Sequence, residues 1–232
     1  MNRTPEPELM DDAAEAQAYA QADFSAVNAR FVDRVLEVVG DREKERVIKR
    51  VIERVIDLGC GPGDIAVELA TRRENWTVFA LDGAPVMIER ASRKAAEAYA
   101  RNVVPVLGDA CDGAELSSRL GTFDVVMSNS LLHHVPDPGA MWKSISRLLA
   151  PGGVVFLRDL RRPASELAAT LLVQAHASSE SELLQEEFLR SLHAAYTLAE
   201  VRRQLDEAGL EDWTVTEFDD RYLDVVGHSG DL

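Results

Sequence analysis

The chain has 232 residues, 46% hydrophobic and 28% charged, enough for one α/β domain with a full core. Its net charge of −15 repels phosphate backbones, which argues against nucleic acid as a partner and otherwise serves solubility. No apolar run approaches the ~20 residues of a membrane span, the N-terminus lacks the apolar core of a signal peptide, and two cysteines, Cys60 and Cys111, suggest neither a disulfide framework nor a metal site; the expected location is the cytoplasm.

Residues 1–12 are acidic and carry Pro5 and Pro7, a composition expected to be disordered. The remainder, 13–232, reads as a single domain. Phe24, Val27, Phe31, Val35, Val38 and Val39 recur at three- and four-residue steps, predicting helices over 12–21 and 24–39 with Gly40 as the stop. Residues 46–57 hold three tandem tetrads, Arg-Val-Ile-Lys, Arg-Val-Ile-Glu and Arg-Val-Ile-Asp. Their apolar pairs suit a helix face over about 41–50 that passes into a strand by Val55, so 13–54 is a helical N-terminal region.

Val55 and Ile56 end a β-branched apolar run, which reads as a buried strand. Gly59, Gly61 and Gly63 follow, and glycine there permits positive φ and close approach of a ligand. Asp64 is placed to cap a helix whose apolar positions are Ile65, Ala66, Leu69 and Ala70. A second strand, 77–81, ends at Asp82, a carboxylate able either to accept both hydroxyls of a ribose or to cap the next helix, 84–100. The third strand, 103–107, ends at Gly108-Asp109-Ala110. The fourth, 123–128, runs into Asn129-Ser130-Leu131-Leu132-His133-His134-Val135, followed by a helix over 139–149. Pro151-Gly152-Gly153 turns sharply into a fifth strand, 154–157. Strand–helix units in alternation imply a parallel, doubly wound sheet. Residues 160–197 then hold two insertion helices over the pocket, Thr197 opens a helix ended by Gly209, and 212–218 with 222–226 form an antiparallel hairpin.

A strand, a glycine turn and a helix start build a nucleotide pocket at the carboxyl end of a first strand. A dinucleotide fingerprint would place its third glycine at position 64. Here Asp64 stands there, and with Asp57 the pattern becomes Asp-x-Gly-x-Gly-x-Gly. This resembles motif I of class I S-adenosylmethionine (SAM) dependent methyltransferases. From about Tyr19 to His228 the chain resembles their small-molecule type, akin to the ubiquinone-biosynthesis-like group. Asp57 and the glycines, Asp82, Asp109, the run from Asn129 to His134 and the Pro-Gly-Gly turn carry the resemblance, in order.

The resemblance implies a Rossmann-like, mostly parallel seven-stranded sheet of order 3-2-1-4-5-7-6. Strand 7 would be antiparallel, helices would cover both faces, and an N-terminal helical lid would use Tyr19 and Phe24 as candidate closing residues, with simple core packing the equal alternative for Phe24. It implies that Gly59, Gly61 and nearby backbone meet the methionine end of SAM, Asp82 the ribose, Asp109 and Ala110 the adenine, and Asn129 the amino-acid moiety. Asp57, Cys60, Gly83 and Ser130 complete the expected cofactor contacts. The implied reaction is in-line methyl transfer from SAM to a nucleophile on a small molecule, leaving S-adenosylhomocysteine. A non-catalytic SAM-binding regulatory module is the alternative, and a nicotinamide oxidoreductase is disfavoured by the glycine spacing. His133, the histidine taken as nearer the cofactor, is the candidate general base, since an imidazole can accept a proton near pH 7; the resemblance equally allows the His-His pair to serve packing and SAM contacts. Tyr19, His134, Arg158 and Asp159 are candidate substrate contacts; Arg158, Arg161 and Arg162 suit either an acidic substrate or surface salt bridges. No metal is expected, and a homodimer is compatible with the sequence.

Overall fold

The computed structural model describes residues 1–6, 24–45 and 52–230. Seven strands, β1 (Arg54–Leu58), β2 (Thr77–Asp82), β3 (Val103–Leu107), β4 (Phe123–Asn129), β5 (Leu149–Leu160), β6 (Thr214–Glu217) and β7 (Tyr222–His228), form one sheet. Their order is β3-β2-β1-β4-β5-β7-β6, with β1 to β5 parallel and β7 antiparallel to both its neighbours. Helices α1 (Ser25–Glu45), α2 (Asp64–Arg72) and α3 (Pro85–Glu97) cover one face. Helices α4 (Gly113–Leu120), α5 (Pro138–Leu148) and α8 (Leu198–Glu207) cover the other. Successive strand residues point to opposite faces, so Val55, Val125 and Phe156 pack under the first layer while Ile56, Val126 and Leu157 pack under the second. Burial on both faces is why these strands read as near-continuous apolar runs.

Helices α6 (Glu166–Ala177) and α7 (Glu182–Ala194) form the insertion after β5, around Leu160, Ala169, Leu192 and Ala195. Thr197 and Glu200 exchange side-chain to backbone hydrogen bonds at the start of α8, as a capping box does.

Four local expectations are corrected. Helix α1 runs through Gly40 without stopping. A glycine inside a helix costs about 1 kcal/mol, which the burial of Val35, Val38 and Val39 against the sheet outweighs. Asp64 does not cap α2: Gly63, at φ +86°, takes the cap position, and Asp64 is the first helical residue, paired with Lys94. Strand β5 begins at Leu149, five residues before the expected start. Phe123 pairs with Leu149 and Val125 with Val154, so the Pro-Gly-Gly sequence is an irregularity within the strand. Finally, residues 1–6, within the stretch expected to be disordered, lie along the molecule: the Met1 amino group donates to the Ala164 carbonyl at 3.0 Å and the Thr4 N–H to that of His193 at 3.0 Å.

The expected helix at 12–21, Tyr19 and tetrad residues 46–51 lie outside the described residues. Phe24 stands at the start of α1, where its carbonyl accepts the N–H groups of Val27 and Asn28.

Gly63 joins the glycine turn to α2 under two constraints. Its φ is +86°, and a Cβ there would stand 2.8 Å from that of Ala91 on α3. Gly63→Ala should therefore destabilise the domain by about 1–3 kcal/mol, read as a lower urea midpoint with an unchanged m-value.

Candidate active site

The glycine turn is tied to the neighbouring strand. Gly59 N–H and Cys60 N–H both donate to the Leu81 carbonyl, at 2.8 and 2.9 Å. A Cβ at Gly59 would meet Leu131 at 2.9 Å, whereas one at Gly61 would meet nothing within 4 Å among the described residues, so among these the middle of the turn faces open space. Asp82, at the tip of β2, closes the arrangement: Oδ2 accepts Gly61 N–H at 2.9 Å and Oδ1 accepts Ala84 N–H at 2.8 Å. It therefore shapes the turn before α3, yet each oxygen keeps acceptor capacity beyond one backbone bond.

Asp57 is 1% exposed at the end of β1, and its Oδ2 has no hydrogen-bond partner among the described residues. Burial, and then the nearby charge of Asp82, push its carboxyl up to about 8. Burial likewise raises Asp82, with the backbone N–H groups of Ala84, Gly61 and Gly83 pulling against it. Cys60 is buried beside both, and its thiol is pushed well up, which makes it an inert wall rather than a nucleophile. Asn129 Oδ1 is a second buried acceptor with no partner among the described residues. Ser130 follows with φ +56°, its N–H donated to the Arg158 carbonyl at 2.9 Å. Gly83 and Asp109 are exposed and Ala110 half-buried at the ends of β2 and β3, and Asp109 Oδ1 accepts Cys111 N–H at 2.7 Å. Of the expected cofactor residues, the structure thus gathers Asp57, Gly59, Cys60, Gly61 and Asp82 tightly at one turn.

A second cluster stands where β4 gives way to the 3₁₀ turn Leu132–His134. Asp159 organises it, with Oδ2 accepting Leu132 N–H at 2.6 Å and Oδ1 standing 2.6 Å from His133 Nδ1. His133 is 2% exposed, and His134 is half-buried beside it. Burial disfavours a charged His133, but Asp159 and then Glu6 outweigh it, so its proton is held above the ordinary 6.5. Glu6 was not legible as a site residue, being one carboxylate in an acidic, Pro-containing stretch. Its Oε1 lies 3.1 Å from His134 Nδ1 and 3.6 Å from His133 Nε2, and burial raises its own carboxyl. Glu6, His133 and His134 each bring one atom of metal-ligand type within 4.8 Å of the others, a grouping that Cys/His spacing did not reveal.

Of the two uses open to the three arginines, the structure places all of them in ion pairs, one of which is buried. Arg158 is 1% exposed and grips Asp224 at both carboxylate oxygens, at 2.7 and 2.8 Å, with its guanidinium 3.5 Å over the Phe218 ring. Arg161 pairs with Glu217 at 3.2 Å, and Arg162 with Glu200 at 2.6 Å.

A doubly wound sheet with a glycine turn, orphan acceptors and a polar cluster at its carboxyl edge defines a nucleotide-binding α/β protein. A family model described as a methyltransferase domain matches residues 50–209. The 27-O-demethylrifamycin SV methyltransferase of Amycolatopsis mediterranei is 31% identical over 163 residues, 70% of this chain and 55% of that protein. A ubiquinone biosynthesis O-methyltransferase of Sodalis glossinidius is 30% identical over 178 residues, 67% of this chain and 68% of that one. Among solved structures, plantazolicin methyltransferase BpumL in complex with a triazolic desmethylPZN analog and SAH matches with a TM-score of 0.65 at 13% identity, over 94% of this chain and 95% of that one. The chain belongs to the class I SAM-dependent methyltransferases. It spans about half the length of several curated relatives, 55% of one and 44% of another.

Asp57 holds its proton to about pH 8 in the fold, against 3.8 ordinarily. Unfolding between those values releases a proton, so the native state loses stability as pH rises through that window. Asp57→Asn removes the penalty. Its thermal midpoint should gain on the wild type as pH is raised from 4 to 8, and parallel pH dependences would contradict the assignment.

Proposed function

We propose that this protein transfers a methyl group from SAM to a nucleophile on a small-molecule acceptor. One observation carries the reading: three acceptors, Asp57 Oδ2, Asn129 Oδ1 and the Asp82 carboxylate, stand at a glycine turn whose Gly61 has nothing against its Cβ position among the described residues. SAM presents donors of the matching kind, an ammonium group and two ribose hydroxyls. Asp57 and Asn129 would accept from the ammonium, Asp82 from the ribose, and Asp109 and Ala110 would border the adenine. SAM, when bound, supplies a methyl group already activated by the adjoining sulfonium charge.

The protein's work is then to position the acceptor, exclude water and hold a proton. His133 receives the proton from the nucleophile at Nε2, while Asp159 fixes the ring through Nδ1 and steadies the charge it acquires. Since His133 stays protonated above its ordinary range, it acts as a base only once pH exceeds that raised value. The relatives' names, one for 27-O-demethylrifamycin SV and one for ubiquinone biosynthesis, support a small organic acceptor. Net charge and two free cysteines support a cytoplasmic protein that does not act on nucleic acid. No helix among the described residues is long and apolar enough to cross a membrane.

Calorimetry should show S-adenosylhomocysteine binding to the wild type, and its absence would sink the reading. Asp82→Ala should weaken that binding by about tenfold to a few hundredfold, the loss of one or two charge-assisted hydrogen bonds. An unchanged dissociation constant would leave Asp82 only its turn-forming role.

His133→Ala should lower the methyl-transfer rate by ~10²-fold while cofactor affinity holds. The wild-type rate should climb with pH through a midpoint above 6.5, the ordinary value of histidine, and the variant should lose that climb. A variant of normal rate and pH profile would show that positioning alone carries the reaction.

A further inference from the structure

Arg221 stands just before β7, and its guanidinium lies over two rings: 4.8 Å from the centre of Tyr222 and 5.8 Å from that of Phe188 on α7. Ring faces attract a cation, and the two contacts hold the side chain in place. Its Nε is buried without a hydrogen-bond partner, and no carboxylate pairs with the guanidinium among the described residues. The chain has 40 acidic residues against 25 basic ones, so acids are not in short supply. Those of the β6–β7 hairpin are engaged elsewhere. Asp219 Oδ1 accepts the backbone N–H groups of Arg221 and Tyr222 at 3.0 and 2.9 Å, and Asp220 faces His176 at 2.9 Å. Glu217 faces Arg161, and both oxygens of Asp224 face Arg158. Tyr222 supplies a second donor, since its hydroxyl makes no hydrogen bond among the described residues. Burial raises its phenol against the pull of Arg221, so the oxygen keeps its proton. This corner adjoins the His133 cluster from two directions. Tyr222 pairs with Leu160, the residue after Asp159, and the Arg161 N–H donates to the Arg221 carbonyl at 2.7 Å. Phe188 stands about one helical turn before Ser191, whose hydroxyl donates to Glu6 at 3.0 Å.

We infer that Arg221, Tyr222 and Phe188 form a subsite for a carboxylate borne on a flat apolar body, and that this carboxylate belongs to the methyl acceptor. The inference rests on the methyl-transfer reading in naming the acceptor as the ligand, whereas the carboxylate site itself stands on the unpaired guanidinium. Arginine presents Nε and Nη as parallel donors, a fork that matches the two oxygens of a carboxylate. A buried donor without a partner costs free energy, and an arriving carboxylate oxygen recovers that cost. The Tyr222 hydroxyl adds a neutral donor beside the charged one. Phe188 and Tyr222 pack on the apolar cluster of Leu160, Ala169 and Leu192, so the surroundings favour a planar apolar group over a small hydrated anion. A carboxylate held here leaves His133 Nε2 to receive the proton of the nucleophile, because the anion is gripped from the β7 side and not by the histidines. Arg158, Arg161 and Arg162 are spent on Asp224, Glu217 and Glu200, which makes Arg221 the cation this edge of the sheet can offer.

The test follows the arginine Nε–H resonances of the full ¹⁵N-arginine-labelled chain by NMR, with benzoate as the probe. Benzoate should shift Arg221 and leave Arg158 unmoved, because Arg158 is already held by Asp224. Benzamide, a neutral molecule of the same shape, should bind the wild type at least about tenfold more weakly. Arg221→Gln should weaken benzoate by about tenfold or more, and Tyr222→Phe, which keeps the ring, by about threefold to tenfold. If Arg221→Gln does not fold, the comparison of benzoate with benzamide on the wild type decides. Benzoate that leaves Arg221 unmoved, or that binds no tighter than benzamide, would overturn the inference. Inorganic phosphate binding as tightly as benzoate would overturn the assignment to a carboxylate on an apolar body. S-adenosylhomocysteine calorimetry on the same samples separates the two readings. Cofactor binding without the benzoate effect sinks the subsite alone, and the benzoate effect without cofactor binding keeps the carboxylate site but sinks the methyl-transfer reading.

Discussion

A carboxylate removed from water without a partner is among the most expensive groups a fold can hold, and Asp57 occupies that position at the end of β1. A second carboxylate, Asp82, stands nearby at the end of β2. The protein meets the problem in two ways. Asp57 retains its proton, and Asp82 takes the backbone N–H groups of Gly61 and Ala84. The second solution requires a chain that bends back toward β2 immediately after β1, which the left-handed glycines make possible. Turn, helix start and acceptor-rich pocket all follow from accommodating two acids where a purely structural sheet would have none. Holding such an arrangement carries a stability cost, and groups of this kind cluster at functional sites.

The His133 cluster is built from alternation along a single strand. Arg158 and Asp159 are neighbours on β5 and point to opposite faces. One grips Asp224 across the antiparallel pairing with β7, and the other holds the 3₁₀ turn and orients His133. Two buried ion pairs, Arg158–Asp224 and Asp159–His133, are thus adjacent in sequence and separated by the thickness of the sheet.

The sheet order and its strands were legible because buried parallel strands are short apolar runs bounded by glycine or acid, a pattern little changed by context. What was misread depended on partners distant in sequence. Gly40 reads as a stop only if the packing of Val38 and Val39 is unknown. Asp64 reads as a cap until Gly63 is seen in the left-handed region that excludes other residues from the cap position. Pro151-Gly152-Gly153 reads as a turn because its pairing with β4 slips by several residues, which no local pattern reveals. Arg158 resembles a free ligand group because Asp224 is 66 residues away. Glu6 was invisible for the same reason in stronger form, since its partners lie beyond residue 130 and its own neighbourhood is merely acidic.

Strand β7 carries a different kind of implication. It lies inside the sheet, between β5 and β6, yet both neighbours precede it in the sequence. A nascent chain therefore presents the edge of β5 unpaired until synthesis has passed residue 228, with the Arg158 cation waiting on an apolar strand. An open, hydrophobic edge invites pairing with another chain. The buried cation discourages such a partner unless it places a carboxylate opposite Arg158, as Asp224 does in register. The ion pair thus ties the sheet to the one register that sets Asp224 opposite Arg158, and leaves a buried cation uncompensated in any other.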